Sequence, residues 1–233
     1  MLLEGTTAFV TGANRGLGRH FAQALLDRGA AKVYAAARNP ESVDLPGVVP
    51  VRLDITDPAQ VAAAATLASD VRLLINNAGL STGARALDGD LADVRLEMET
   101  HYFGTLSVTR AFAPVLAANE GGALLNVLSV LSWTTLPGTD AYSAAKAAEL
   151  MLTNSLRLGL AEQKTLVTAL HVGYMDTDMA ARVDGPKSDP RVIADLALDG
   201  VAAGASEVVA DDVSRMVRAA LSGPLSNLYP SVA

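Results

Sequence analysis

Short apolar runs alternate with stretches long enough to hold a helix, and this rhythm constrains the fold of the chain more than any other property. The runs cover residues 6–10, 32–36, 48–53, 71–76, 122–128 and 166–172. Parallel strands need a crossover between them, most often a helix. Runs that are apolar throughout, rather than alternating, suit strands covered on both faces. The segments between them carry helix signals. One pattern spans 15–28 and stops at Gly29, the residue type best suited to a left-handed C-terminal cap. Asp57-Pro58 opens another, with Asp57 as cap and Pro58 in the first turn. Long helices are expected over 91–119, where Pro114 is the place for a kink, and over 140–161. Beyond Asp176 the pattern loosens into a variable stretch to about Gly204, a helix near 212–221 and a last short strand at 225–229. The reading is an α/β fold of one domain over residues 1–233: a doubly wound, mostly parallel sheet with helices on both faces.

Composition narrows the function classes. Half of the 233 residues are hydrophobic and only 18% are charged, enough apolar material for a two-faced core. A formal net charge of −7 repels phosphate backbones, so nucleic acid is not expected as a partner. With no cysteine, disulfides and thiolate metal sites are excluded, and no metal site is expected. No apolar run reaches the roughly 18 residues of a membrane span. The N-terminus reads as a first strand rather than a leader, so the expectation is a cytoplasmic protein.

The first strand runs into Thr11-Gly12-Ala13-Asn14-Arg15-Gly16-Leu17-Gly18 at the start of a helix. Glycines there allow a tight turn and a close approach of a pyrophosphate, and the helix N-terminus offers free N–H groups. Downstream come Asn76-Asn77-Ala78-Gly79 at the end of the fourth strand and Ser129 at the end of the fifth. Tyr142-Ser143-Ala144-Ala145-Lys146 follows, thirteen residues after Ser129. Tyr142 and Lys146, at i and i+4, share a helix face. A phenol has a pKa of about 10, and a nearby ammonium favours its phenolate. In this order and spacing the chain, from Thr11 to Thr177, resembles the short-chain dehydrogenase/reductase family, in its compact single-domain branch.

That resemblance implies a Rossmann-type nucleotide fold, hydride transfer to or from a carbonyl carbon, and named roles. Tyr142 is the implied proton donor. Ser129 holds the substrate oxygen, with Ser132 as the lesser candidate, and Lys146 binds the nicotinamide ribose. Gly12, Asn14, Arg15, Gly16, Leu17 and Gly18 form the phosphate loop. Asp54 and Ile55 flank the adenine; Asn77, Ala78 and Gly79 leave room for the nucleoside; Gly173 and Thr177 reach the nicotinamide half. Where NAD-preferring members carry an acid after the second strand, this chain reads Ala36-Ala37-Arg38-Asn39. Arg38, joined by Arg15, suits a 2′-phosphate, so NADPH is expected over NADH. One position departs: His101 stands where the family carries an Asn that holds a relay water. His titrates near neutral pH and is a candidate to take over that proton relay. Val172 likewise replaces a usual Pro.

The substrate is expected to be a small ketone, aldehyde or alcohol. Its pocket is assigned to Leu131, Trp133, Leu136, Met175, Met179 and Val183, under a lid over 178–204. The family also implies a homodimer or homotetramer. Two alternatives stay open: a non-catalytic NADP-binding sensor or scaffold, and imine reduction on the same scaffold. The length and glycine spacing argue against the longer epimerase branch.

Overall fold

The computed structural model describes residues 1–229. All six apolar runs form strands: β1 (Thr7–Thr11), β2 (Lys32–Ala37), β3 (Val49–Arg52), β4 (Leu73–Asn76), β5 (Ala123–Val127) and β6 (Leu166–His171). With β7 (Glu207–Val209) they make a seven-stranded sheet, parallel throughout, in the order β3-β2-β1-β4-β5-β6-β7. Strand order reverses between β1 and β4. The crevice outside the carboxyl ends of the strands at such a reversal is where open α/β sheets bind ligands. Pro50, lacking an N–H, sits in β3 at the sheet edge, where a missing donor is tolerated.

Helices α1 (Gly16–Asp27) and α6 (Pro190–Ala203) share one core layer, with Leu17, Phe21, Leu25, Ile193, Leu198 and Val201 against Val10, Ile75 and Leu125. On the opposite face α2 (Pro58–Leu67) and α4 (Thr105–Ala118) bring Val61, Val108, Phe112 and Leu116 against Phe9, Leu74 and Leu124. Neighbouring residues of one strand thus serve opposite layers, as the period of two demands. The remaining helices are α3 (Leu91–Met98), α5 (Asp140–Gly159) and α7 (Asp212–Ala220). No helix among the described residues is long and apolar enough to cross a membrane.

Three expectations are corrected. The stretch expected to be irregular to Gly204 is helical from Pro190: Asp189 caps α6 by accepting from the Arg191 N–H, and Gly204 ends it at a φ of 72°. Its buried stripe belongs to the core, which leaves residues 178–189 as the irregular part of the expected lid. The last strand lies at Glu207–Val209; the residues expected to form it, 225–229, hold instead a short 3₁₀ turn, Leu225–Asn227. The helical stretch after residue 91 is irregular not at Pro114, which α4 contains, but at Glu99–Gly104, a π turn. Such turns insert a residue into the helical repeat and re-aim side chains.

Candidate active site

The glycine loop closes by contact as much as by flexibility. Gly12 and Gly16 take φ of 65° and 53°. At Gly12 a Cβ would lie 2.9 Å from Ala78 Cα, and at Gly18 one would lie 2.1 Å from the Gly12 carbonyl oxygen. Asn77 braces the loop, its Nδ2 donating to the carbonyls of Thr11 at 2.9 Å and Gly12 at 3.2 Å. The Thr11 hydroxyl accepts from the N–H groups of Asn77 and Ala78. No side chain caps α1. Bare backbone beside an uncapped helix start suits the two phosphates of a dinucleotide. A Cβ on Gly16 would lie 3.5 Å from Thr177 Cγ2, which places Thr177 over the loop.

The other nucleotide residues divide. Arg38 is exposed at the end of β2. Close by, Asn14 Nδ2 donates to Ser42 Oγ at 3.1 Å, and Asn39 caps the turn that holds Ser42. Arg15 instead pairs with Asp178 at 3.0 Å, so its guanidinium is engaged by the segment after β6 rather than standing free beside Arg38. Asp54 lies two residues past β3, and its Oδ1 accepts from the Thr56 N–H and hydroxyl, so it shapes its own turn. Ile55 is buried against Gly104. The Gly173 N–H donates to Asp211 Oδ2 at 2.6 Å, and the same carboxylate caps α7.

Ser129, Tyr142 and Lys146 meet beyond the end of β5. Ser129 begins a 3₁₀ turn, Val130–Ser132. Its Oγ accepts from the Leu131 N–H at 3.1 Å, which leaves its own hydrogen for another acceptor. Ser132 Oγ accepts from the Ser129 N–H, so Ser132 is occupied in holding the turn. Lys146 Nζ donates to Val127 O at 2.8 Å and to Glu149 Oε2 at 2.7 Å, and lies 5.8 Å from the Tyr142 ring centre. Burial pushes the Tyr142 phenol above its ordinary pKa; Lys146 pulls it down, Glu149 and Glu97 push it up, and a hydrogen bond with Ser129 lowers it. The expected easing of ionisation by Lys146 is therefore outweighed. Burial works against the Lys146 ammonium too, but Glu149, Tyr142 and Glu97 hold its pKa above the ordinary value.

His101 lies in the π turn, 1% exposed, with its ring edge-on to Tyr142 at 5.1 Å between centres. A Cβ on Gly79 would lie 2.7 Å from its Cε1, so the bare glycine makes room for the ring. Between His101 and Lys146 stands Glu149, and beyond the ring stands Glu97; neither acid is among the residues expected from the sequence. The available signal is spacing: Glu149 follows Lys146 by three, and Glu97 precedes His101 by four.

The proposed pocket residues do not all converge. Trp133 stacks on His171, centres 3.7 Å apart and planes 14° apart, with the Arg218 guanidinium 5.6 Å from its ring centre. It lines a cleft of about 380 Å³ with Asn154, Arg157 and Glu207. Leu131 is buried, and Met175 packs on the core shared by α1 and α6. Leu136 and Met179 are exposed and Val183 is half-buried. The segment 178–189 is anchored where Ser188 bridges to Met175.

Comparison with known proteins agrees with this geometry. The family model described as "short chain dehydrogenase" matches residues 6–187. "Short chain dehydrogenase tazN" of Aspergillus terreus is 34% identical over 206 residues, 81% of this chain and 44% of that protein. This chain therefore spans less than half of the fungal protein's length. The "NADP-dependent 3-hydroxy acid dehydrogenase" of Schizosaccharomyces pombe is 27% identical over 201 residues, 79% of this chain and 78% of that protein. Among solved structures, a short chain dehydrogenase from Burkholderia cenocepacia in complex with NADP superposes with a TM-score of 0.95. It is 43% identical, covering 99% of this chain and 98% of that one.

Proposed function

Because this chain belongs to the short-chain dehydrogenase family, we propose that it is an NADPH-dependent oxidoreductase acting on a small ketone, aldehyde or alcohol. The observation that carries this reading is the meeting of Ser129, Tyr142 and Lys146 beside a glycine cradle that only bare backbone can form. The cofactor would lie on Gly12, Gly16 and Gly18, with Thr177 above the loop and Arg38 at the 2′-phosphate. NADP complexed with the Burkholderia protein supports this choice. When bound, NADPH supplies the hydride.

The chain's own residues do the rest. Ser129, its oxygen already accepting from Leu131, donates its hydrogen to the carbonyl oxygen and holds the substrate. Tyr142 gives its phenolic proton to that oxygen as charge develops there. The Lys146 ammonium, fixed by Val127 O, steadies the phenolate left behind. Residues 178–189 form the lid, and Met179 is the apolar side chain it brings to the substrate. A homodimer or homotetramer through the helical stretch after residue 91 and through α5 is supported by exposed Leu91, Phe103, Met151 and Leu158 on those elements.

The test is a panel of ketones, aldehydes, imines and alcohols with NADPH or NADP, followed by nicotinamide absorbance. Tyr142→Phe should lower turnover by about 10²–10⁴-fold, the usual worth of a positioned acid. NADPH bound without turnover of any panel member would favour a binding protein.

A further inference from the structure

Behind Lys146 the fold buries two carboxylates that a tyrosine–lysine pair does not itself require. Glu149 follows Lys146 on α5 and is 2% exposed; Glu97 precedes His101 on α3 and is fully buried. A buried carboxylate is costly unless paired. Glu149 accepts from Lys146 Nζ at 2.7 Å on Oε2 and from the Thr105 hydroxyl at 2.9 Å on Oε1. Glu97 Oε1 accepts from the Thr82 N–H at 2.7 Å and its hydroxyl at 3.0 Å. The His101 ring lies between the two acids. Its Nε2 is 2.7 Å from Leu80 O, an atom that can only accept, so Nε2 carries a hydrogen. Nε2 is also 3.3 Å from Glu97 Oε2, and Nδ1 is 3.9 Å from Glu149 Oε2. Nδ1 and Glu97 Oε2 have no hydrogen-bond partner.

The groups facing the Tyr142 phenol are Lys146 and Glu149 on its own helix, Glu97 on α3, His101 in the π turn and Ser129 after β5. One ammonium therefore stands against two carboxylates in a space with little water, where charge acts strongly. The ammonium is bound at 2.7 Å to Glu149, which offsets part of its pull on the phenolic proton, and Glu97 stands as a second carboxyl beyond the His101 ring. From this geometry we infer that Glu97 and Glu149, with His101 held between them, are positioning residues that keep Tyr142 protonated at neutral pH, the form from which turnover in the direction of carbonyl reduction begins. Reduction begins from the phenol and oxidation from the phenolate. Burial does most to raise the phenol's pKa; Lys146 acts against it, and both acids add to it. The statement about direction rests on the proposed oxidoreductase function; the hold on the phenol does not.

The test needs no substrate. Phenolate absorbance of the full chain is titrated between about pH 7 and 10, and the Tyr142→Phe trace is subtracted to cancel the rest of the 5 tyrosines. The wild type should show no Tyr142 phenolate in that range. Glu149→Gln, which keeps an oxygen for Thr105, should bring in a Tyr142-dependent rise, its midpoint lower by at least about one pH unit. Glu97→Gln should move it the same way by less, and carries the test if Glu149→Gln fails to fold. In both variants the rising limb of the pH profile for alcohol oxidation should move to lower pH, by about one unit for Glu149→Gln and by less for Glu97→Gln. A Tyr142 signal that is unmoved, or moved upward, in the folded variants overturns the inference. Shifted absorbance without turnover on any panel member sinks the proposed function instead and leaves the acid pair standing.

Discussion

Replacing Gly18 with alanine tests how tightly the glycine loop is locked to α1. The new Cβ would lie 2.1 Å from the Gly12 carbonyl oxygen and 2.5 Å from Asn77 Nδ2. Comfortable contact between heavy atoms needs about 3.5 Å, so the carbonyl must retreat by more than ~1 Å. It cannot do so alone, because Asn77 ties it to the end of β1. Forced overpacking costs about 1–3 kcal/mol. A clash against braced backbone belongs at the upper end, about 3 kcal/mol. For a chain of 233 residues each kcal/mol moves Tm by about 2–4 °C, so Gly18→Ala should melt roughly 6–12 °C below the parent. Gly16→Ala is the matched control. Its Cβ would meet Thr177 Cγ2 at 3.5 Å, an ordinary contact, so its cost is only that of a φ of 53°, about 1–2 kcal/mol. Calorimetric melts of both proteins without cofactor give the comparison. Equal losses would refute the claim that close approach, rather than backbone freedom, demands glycine at position 18.

Arg38→Ala should weaken NADPH binding about 10- to 100-fold, the loss of one charge-assisted contact, and leave NADH nearly unchanged; calorimetric titration with each nucleotide checks this, and equal loss with both would refute it. Burial lowers the pKa of His171 to about 4, against smaller raising effects of Ser129 O and Glu207. The unfolded chain takes that proton below about pH 6.5, so this group's contribution, on the order of 3 kcal/mol, is present above about pH 6.5 and lost as pH falls toward 4. Urea unfolding at pH 7 and pH 4.5 should therefore show a smaller pH difference for His171→Gln than for the parent.

Where the sequence is legible, one physical cause dominates. Strands β1, β2, β4, β5 and β6 are buried almost throughout, so they read as apolar runs, whereas the edge strand β3 buries only Val51. Ser129, Tyr142 and Lys146 are candidates because their order and spacing resemble the family's pattern. Helix α6 carries an Asp189-Pro190 start like that of Asp57-Pro58 and a Gly204 stop, yet these signals compete with Gly185 and Pro186 just upstream, which suggest a loop. Strand β7 is three half-buried residues paired only to β6, too short for a hydrophobic pattern. Trp133 lies between Ser129 and Tyr142 in sequence, but its stacking partner His171 comes from β6, and no local pattern announces that contact. Glu97 and Glu149 escape notice because helix carboxylates are ordinarily solvated. Only the fold shows that a lysine, a histidine and two threonines gather around them.

The place of β1 in the sheet bears on how a ribosome delivers this protein. β1 pairs with β2 on one side and β4 on the other. The first partner follows directly, whereas β4 ends at Asn76, nearly forty residues after β2 ends at Ala37. At ordinary elongation rates that interval lasts roughly 2–8 s. Throughout it the Ala8-Phe9-Val10 edge, fully buried in the finished sheet, has backbone groups with no strand to meet. An open apolar edge is a template for pairing with another chain. Nascent copies on neighbouring ribosomes are therefore most exposed to mutual strand exchange during this interval, before β5, which leads to Ser129, has been made.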